Sequence, residues 1–329
     1  MGLPPLIDEE TWHRSGHAPG AAIWSSHETM SIPSTVPRSR VSVRIALWDI
    51  CRGGTRKLEL LDRLKADVLL LLAVSPTSAD RYRLHWADRY DCAAALDLVS
   101  SAQSRPFGAM IASRWPMEEA WTIDALPRPE RALFATVNVG GNRVTLGAWG
   151  TPNAAGEGYP AKMDAYRLMT DYLADREGST IVGVDTNSRF DPPDPEVDIE
   201  HDELRKDEHR FLARDAVHGL ADVHRALVDA DPDRWRLVRD LRPHGPLATT
   251  FVRRPHGRPR GIARGFDSGR HFGLDRMDRI FVSSDIRPLA CEHLYHESLD
   301  LGGDHAAVIA DLAFHGQVRR VSREADRGR

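Results

Sequence analysis

The stretch DVLLLLAVS, Asp67 to Ser75, sets seven apolar residues in a row between an acid and a serine. Seven is far short of the roughly 20 that cross a bilayer. The run therefore predicts one buried strand and a core large enough to take it. The 329 residues suffice for that, as one large domain or two smaller ones with two or more packed layers.

Composition narrows the class. With 41% hydrophobic and 28% charged residues the chain reads as an ordinary soluble globular protein. A net charge of −4 gives no global field directed at nucleic acid or membrane. The opening MGLPPLIDEETWHRSG carries acids and prolines where a secretory signal needs a basic start and an apolar core, so a cytoplasmic location with no membrane association is expected. Cys51, Cys92 and Cys291 lie far apart with no CxxC, which predicts reduced thiols, no disulfide framework and no zinc site. No feature predicts a protein partner.

Residues 1–40 are rich in Pro, Ser, Gly and His without a sustained period, and read as an irregular arm. VSVRIALWDI reads as a strand, RKLELLDRLKA as a helix, and FGAMIASRWPM as a strand that breaks at Pro116. ALFATVNVGGNRVTLGAWG is a hairpin turned by Gly140, Gly141 and Asn142. AKMDAYRLMTDYLADREG is an amphipathic helix ended by Gly178, followed by the strand STIVGVD. Residues 191–210 read as an acidic surface loop running into a helix. MDRIFVSSDI and AAVIADLAF are the closing strands. Hairpins mixed with strand–helix–strand units predict two packed sheets with helices outside, in one α/β domain over 41–315 with a basic tail at 316–329.

Four short segments carry candidate chemistry. In GVDTNS, Asp185 and Asn187 are two apart beyond an apolar strand, where extended backbone points both side chains the same way. A carboxylate beside a carboxamide can hold an attacking water, a metal or an anionic oxygen; a local turn explains the same pair. In GGDHAAVIADLAF, Asp304 and His305 directly precede a strand, the usual setting of a carboxylate-held general acid–base. A plain loop at a strand start fits as well. Asp278 in RMDRIFVSS is a candidate to orient the histidine or bind metal, and alternates with Arg276 and Arg279 as a solvated charge would. Asp49 ends the first strand in ALWDI.

Taken in order, these segments resemble the endonuclease/exonuclease/phosphatase superfamily over roughly residues 43–313. The resemblance implies the deoxyribonuclease-I-like fold, a four-layered α/β sandwich of two facing mixed sheets flanked by helices. It also implies metal-dependent hydrolysis of phosphoesters. Carried over, His305 is implied as general base or phosphoryl-oxygen stabiliser, Asp185 as the group orienting the water, Asn187 as a phosphate contact and Asp278 as the orienter of His305. Asp49 and Asp304 are the implied ligands of Mg²⁺ or Mn²⁺. Trp149, Arg270 and Arg276 are candidate substrate contacts.

Three positions depart from the pattern. Asp49 stands where the superfamily usually has Asn, and Ala73 where it has the principal metal-binding Glu. The usual phosphate-binding His or Tyr falls on Trp149 or Gly150, depending on register. Two readings follow. In one, Asp49 restores the charge lost at Ala73 and the chain hydrolyses a phosphodiester such as nucleic acid. In the other, it binds nucleic acid or a phosphorylated ligand without cutting. A phosphomonoesterase acting on a small molecule or lipid headgroup is a third. An Arg-rich stretch at about 234–279, interleaved with Trp235, Phe251, Phe266 and Phe272, offers phosphate contacts and stacking surfaces.

Overall fold

The computed structural model describes residues 42–100, 107–188, 205–241, 247, 248, 250–252 and 274–314. The expected N-terminal arm, the basic tail, Arg270 and most of the Arg-rich stretch lie outside the described residues.

The chain starts with β1 (Ser42–Arg52), a helix over Thr55–Leu64, and β2 (Val68–Val74), the apolar run of the opening argument. A second helix, Pro76–Trp86, is capped by Ser75, whose side chain accepts from the Ser78 N–H behind Pro76. Then come β3 (Asp91–Ala94), β4 (Gly108–Ser113), β5 (Met117–Trp121), and the expected hairpin of β6 (Ala132–Val139) and β7 (Asn142–Gly150). The helix Tyr159–Ala174 leads into β8 (Ser179–Asp185). After the helix Lys206–Leu212 come β9 (Ala221–Asp222) and the helices Val223–Asp229 and Pro232–Leu241. The chain closes through β10 (Phe251–Val252), β11 (Leu274–Asp275), β12 (Asp278–Val282), β13 (Ile286–Leu294), the helix Tyr295–Asp300 and β14 (Ala307–Phe314).

The strands form two six-stranded mixed sheets, ordered β13-β14-β1-β2-β4-β3 and β5-β6-β7-β8-β12-β9, and a small β10–β11 ladder. Each large sheet has a parallel pair joined by a helical crossover: β1 with β2, and β7 with β8. The period of two sorts the side chains. Ile45, Leu47, Val68, Leu70 and Leu72 of the first sheet meet Leu133, Leu146, Ile181 and Ile280 of the second in an inner core. Trp48, Leu69 and Leu71 turn outward to Leu58, Leu61, Tyr82 and Trp86 of the first two helices. Phe134, Trp149 and Val184 turn outward to Tyr166, Met169 and Phe211. The layers are therefore helix, sheet, sheet, helix, which is why the β2 run has no polar face.

Gly183 marks a close approach of the sheets. A Cβ there would lie 2.8 Å from Leu70 Cδ1 and 2.9 Å from Leu47 Cδ1. Glycine lets β8 sit against β1 and β2, and Asp185, two residues on, shares the inward face at the sandwich rim.

Candidate active site

Both sheets contribute to one cluster. Asp49 projects from the end of β1, Asp185 from the end of β8, and His305 from the loop entering β14. Their ligand atoms all lie within 4.8 Å of one another. Asp185 and His305 are buried and Asp49 is half-buried. Asp278, the first residue of β12, pairs directly across the ladder from Asp185. Its Oδ2 lies 2.8 Å from His305 Nδ1, so Nε2 is the nitrogen left for chemistry.

The supporting bonds are local. Asp185 Oδ1 accepts from the Asn187 N–H at 2.9 Å and Oδ2 from Asn187 Nδ2 at 2.8 Å. Asn187 Nδ2 also donates to the Thr151 carbonyl at 3.0 Å, so this amide braces Asp185. Asn187 adopts φ 46°, and Lys162 Nζ holds its carbonyl at 2.9 Å. The Trp48 indole N–H donates to the His305 carbonyl at 3.0 Å. Asp49 Oδ1 accepts from the Cys51 N–H at 2.9 Å.

Electrostatics follow from burial and crowding. Burial raises the Asp185 carboxyl to about 7, with Asp278 and Asp49 adding to the rise while His305 and the Asn187 N–H oppose it. Burial likewise raises Asp278, against the charge and hydrogen bond of His305. Burial disfavours the His305 imidazolium, but Asp278, Asp185 and Asp49 outweigh it and hold the group well above the ordinary histidine value. The result is a histidine whose charged form is favoured, set among acidic groups of which the two buried ones are raised.

Backbone strain gathers here too. Cys51, Arg52 and Ala73 have φ of 42°, 78° and 51°, at the adjoining ends of β1 and β2 where the ladder shifts register. Ala73, in the Glu position of the resemblance, is half-buried and offers only a methyl. No carboxylate replaces it on β2.

Several expected residues are placed elsewhere. Trp149 is 1% exposed and faces the outer helices, edge-on to Tyr166 and Phe211, because alternation turns it away from the rim. The rim-facing position is Gly150, opposite Asp185, where an added Cβ would meet nothing within 4 Å. Arg276 is 1% exposed and is bound by Asp222 at 3.0 and 2.6 Å; it is a buried structural ion and not a substrate contact. Asp304 is half-buried, next in sequence to His305, and lies outside the group of Asp49, Asp185 and His305 whose ligand atoms fall within 4.8 Å of one another. Of the arginines in the basic stretch, Arg236 pairs with Asp233 and Arg239 lies 4.8 Å over the Trp235 ring.

Thr250 is a supporting residue that no sequence motif announced. Its Oγ1 accepts from the Asp278 N–H at 2.9 Å and its carbonyl from the Ala306 N–H at 2.6 Å. The next residue, Phe251, forms a bridge with His305 and lays its ring 4.9 Å from the imidazole. Thr250 thus ties Asp278 to the histidine loop.

No protein-family model matches the chain, and no curated protein sequence does. Solved structures do match. TDP2 from D. rerio, complexed with single-strand DNA product, is 17% identical with a TM-score of 0.55, over 82% of this chain and 98% of that one. An endonuclease/exonuclease/phosphatase protein from Beutenbergia cavernae is 18% identical with a TM-score of 0.52, over 84% and 72%. The 3′ phosphatase NExo from Neisseria, bound to a product DNA hairpin, is 21% identical with a TM-score of 0.51, over 82% and 98%. Two facing mixed sheets between helix layers, matched to these structures over most of their length, give the chain the deoxyribonuclease-I-like fold.

Proposed function

We propose that the chain is a divalent-cation-dependent phosphoesterase acting on a phosphodiester, with nucleic acid as the substrate class. The observation that carries this reading is the convergence of Asp49, Asp185 and His305 from two sheets, with His305 held by Asp278. A shared fold alone does not carry function. The substrate class draws on the DNA products bound by D. rerio TDP2 and by the Neisseria phosphatase.

The residues fit a hard or borderline divalent cation. Burial raises the Asp185 carboxyl, with Asp278 and Asp49 adding to the rise, so a cation there would be favoured, and Asp49 and Asp185 offer carboxylate oxygens that converge beside His305. Mg²⁺ or Mn²⁺ is the expected ion. When bound, it neutralises phosphate charge and polarises the phosphorus–oxygen bond. The remaining work belongs to the chain. His305, charged and oriented through Nδ1, donates from Nε2 to a phosphoryl oxygen. Asp185, braced by Asn187, aligns a water for in-line attack and takes its proton.

Binding without turnover is the second reading. It is favoured by the methyl of Ala73 and the bare Gly150, which leave the rim poorer in ligands than the superfamily pattern. The test is hydrolysis of plasmid DNA and of a plain phosphodiester with Mg²⁺, Mn²⁺ or EDTA. Metal-dependent cutting, reduced about 10²-fold or more by His305→Ala, supports the enzyme. A silent wild type, with activity gained only in Ala73→Glu, supports the binding reading. Silence of all three proteins on both substrates counts against the assigned chemistry.

A further inference from the structure

A second convergence of metal-competent side chains lies at the sheet edge, and the phosphoester chemistry does not use it. β13 is an edge strand of the first sheet, and the helix Val223–Asp229 packs on it. Residues two apart on a strand share a face, so Cys291 and His293 project together, with Cys291 in the core between the sheets. His224 is the second residue of that helix, whose N-cap, Asp222, belongs to β9 and pairs with Phe281 of the second sheet. The His224 and His293 rings meet edge-on with centroids 4.7 Å apart. Ligand atoms of His224, Cys291 and His293 all lie within 4.8 Å of one another. Cys291 and His224 are buried; His293 is half-buried, with its Nε2 shut off from solvent.

We propose that His224, Cys291 and His293 bind a zinc-class divalent cation that fastens the edge strand of the first sheet to the second sheet. One sulfur and two imidazole nitrogens suit a borderline-soft ion and not Mg²⁺. The preference is opposite to that of the carboxylate-rich rim, so the two sites sort different ions. Donor atoms around tetrahedral zinc lie roughly 3.5 Å apart, inside the 4.8 Å that bounds the three ligand atoms here. Burial, and after it the charge of Asp222, push the Cys291 thiol up, so without an ion it keeps its proton. On binding, the S–H bond breaks, the proton passes to solvent, a metal–sulfur bond forms, and nothing is oxidised or reduced.

The test uses the full chain stripped with a chelator and titrated with Co²⁺ and then Zn²⁺ in excess Mg²⁺, which occupies the carboxylate rim. The expected result is one Co²⁺ equivalent with thiolate-to-cobalt charge-transfer absorption, displaced by Zn²⁺, and a higher thermal midpoint with Zn²⁺ than with EDTA. Cys291→Ser should lose the absorption. A Cys51→Ser/Cys92→Ser double variant should keep it, and this arm decides the sulfur's identity even if Cys291→Ser does not fold. Absence of the absorption in the wild type, its loss in the double variant, or its survival in Cys291→Ser would overturn the site.

Discussion

At the scale of single residues, the candidate site sets one histidine among three acidic side chains, Asp49, Asp185 and Asp278. His305 keeps its charge because Asp278, Asp185 and Asp49 surround it, and its ring is aimed by the 2.8 Å contact with Asp278. Asp278 is fully buried and faces Asp185 directly. Asp278→Asn should therefore leave the fold intact, since the amide keeps the shape and removes a like-charge contact. It should lower kcat about 10²- to 10³-fold through the misdirected imidazole, with little change in KM. Steady-state kinetics with thermal unfolding beside them check this; unchanged kcat would sink the orienting role. The sequence offered Asp185, Asn187, Asp278 and His305 as candidates, because each sits near a strand end beside a recognisable apolar run. Thr250 was not, because its bonds go to backbone groups 28 and 56 residues further along the chain. Of Trp149 and Gly150, the two positions the sequence left open, Gly150 faces the rim and Trp149 the outer helices, because one place in register turns a side chain to the opposite face of a sheet.

At the scale of elements, edge and outer-layer pieces were the hardest to read. β13 holds Pro288 and a bulge between Pro288 and Ala290, so it shows neither clean alternation nor an apolar run; such strands belong at sheet edges. Cys291 and His293 lie on this strand, and their partner His224 is remote in the chain, so spacing alone predicted no zinc site. The helix Lys206–Leu212 depends on another buried histidine. His218 Nδ1 accepts from the Leu220 N–H at 3.1 Å, so its proton sits on Nε2, which donates to the Phe211 carbonyl at 2.8 Å. Burial lowers its pKa, partly offset by that carbonyl. The unfolded chain thus binds a second proton, on Nδ1, more readily, and the stabilisation is complete above the unfolded value of about 6.5. It is lost as pH falls through the lower folded value. Denaturant unfolding at pH 7 and pH 5 should show a loss that His218→Gln reduces; an equal loss in both proteins would remove His218 from the account.

At the scale of the whole molecule, the site exists because two sheets meet closely at one rim. Gly183 permits that approach, with Leu47 and Leu70 filling the space where a side chain would stand. Gly183→Val should overpack the interface, cost about 1–3 kcal/mol, and move Asp185 away from Asp49. Activity should then fall even where the variant remains folded, measured by turnover below its unfolding transition. Full turnover in a folded Gly183→Val would mean that the approach of the sheets does not govern the site. Among the described residues no helix is long and apolar enough to cross a membrane.

The amino-acid sequence determined the layered α/β architecture. Runs such as Val68–Val74 can be satisfied only inside a multilayer core, and the hairpin and crossover helices carry their own local signals. It also offered candidate carboxylates and a histidine, which stand where strands end. The tertiary structure alone decided which side chains share a space. Asp185 meets Asp49 and His305, Arg276 is consumed by Asp222, and a cysteine and two histidines from distant segments converge. Contacts of that kind depend on register and on sheet-to-sheet distance, and no local pattern in the chain encodes either one.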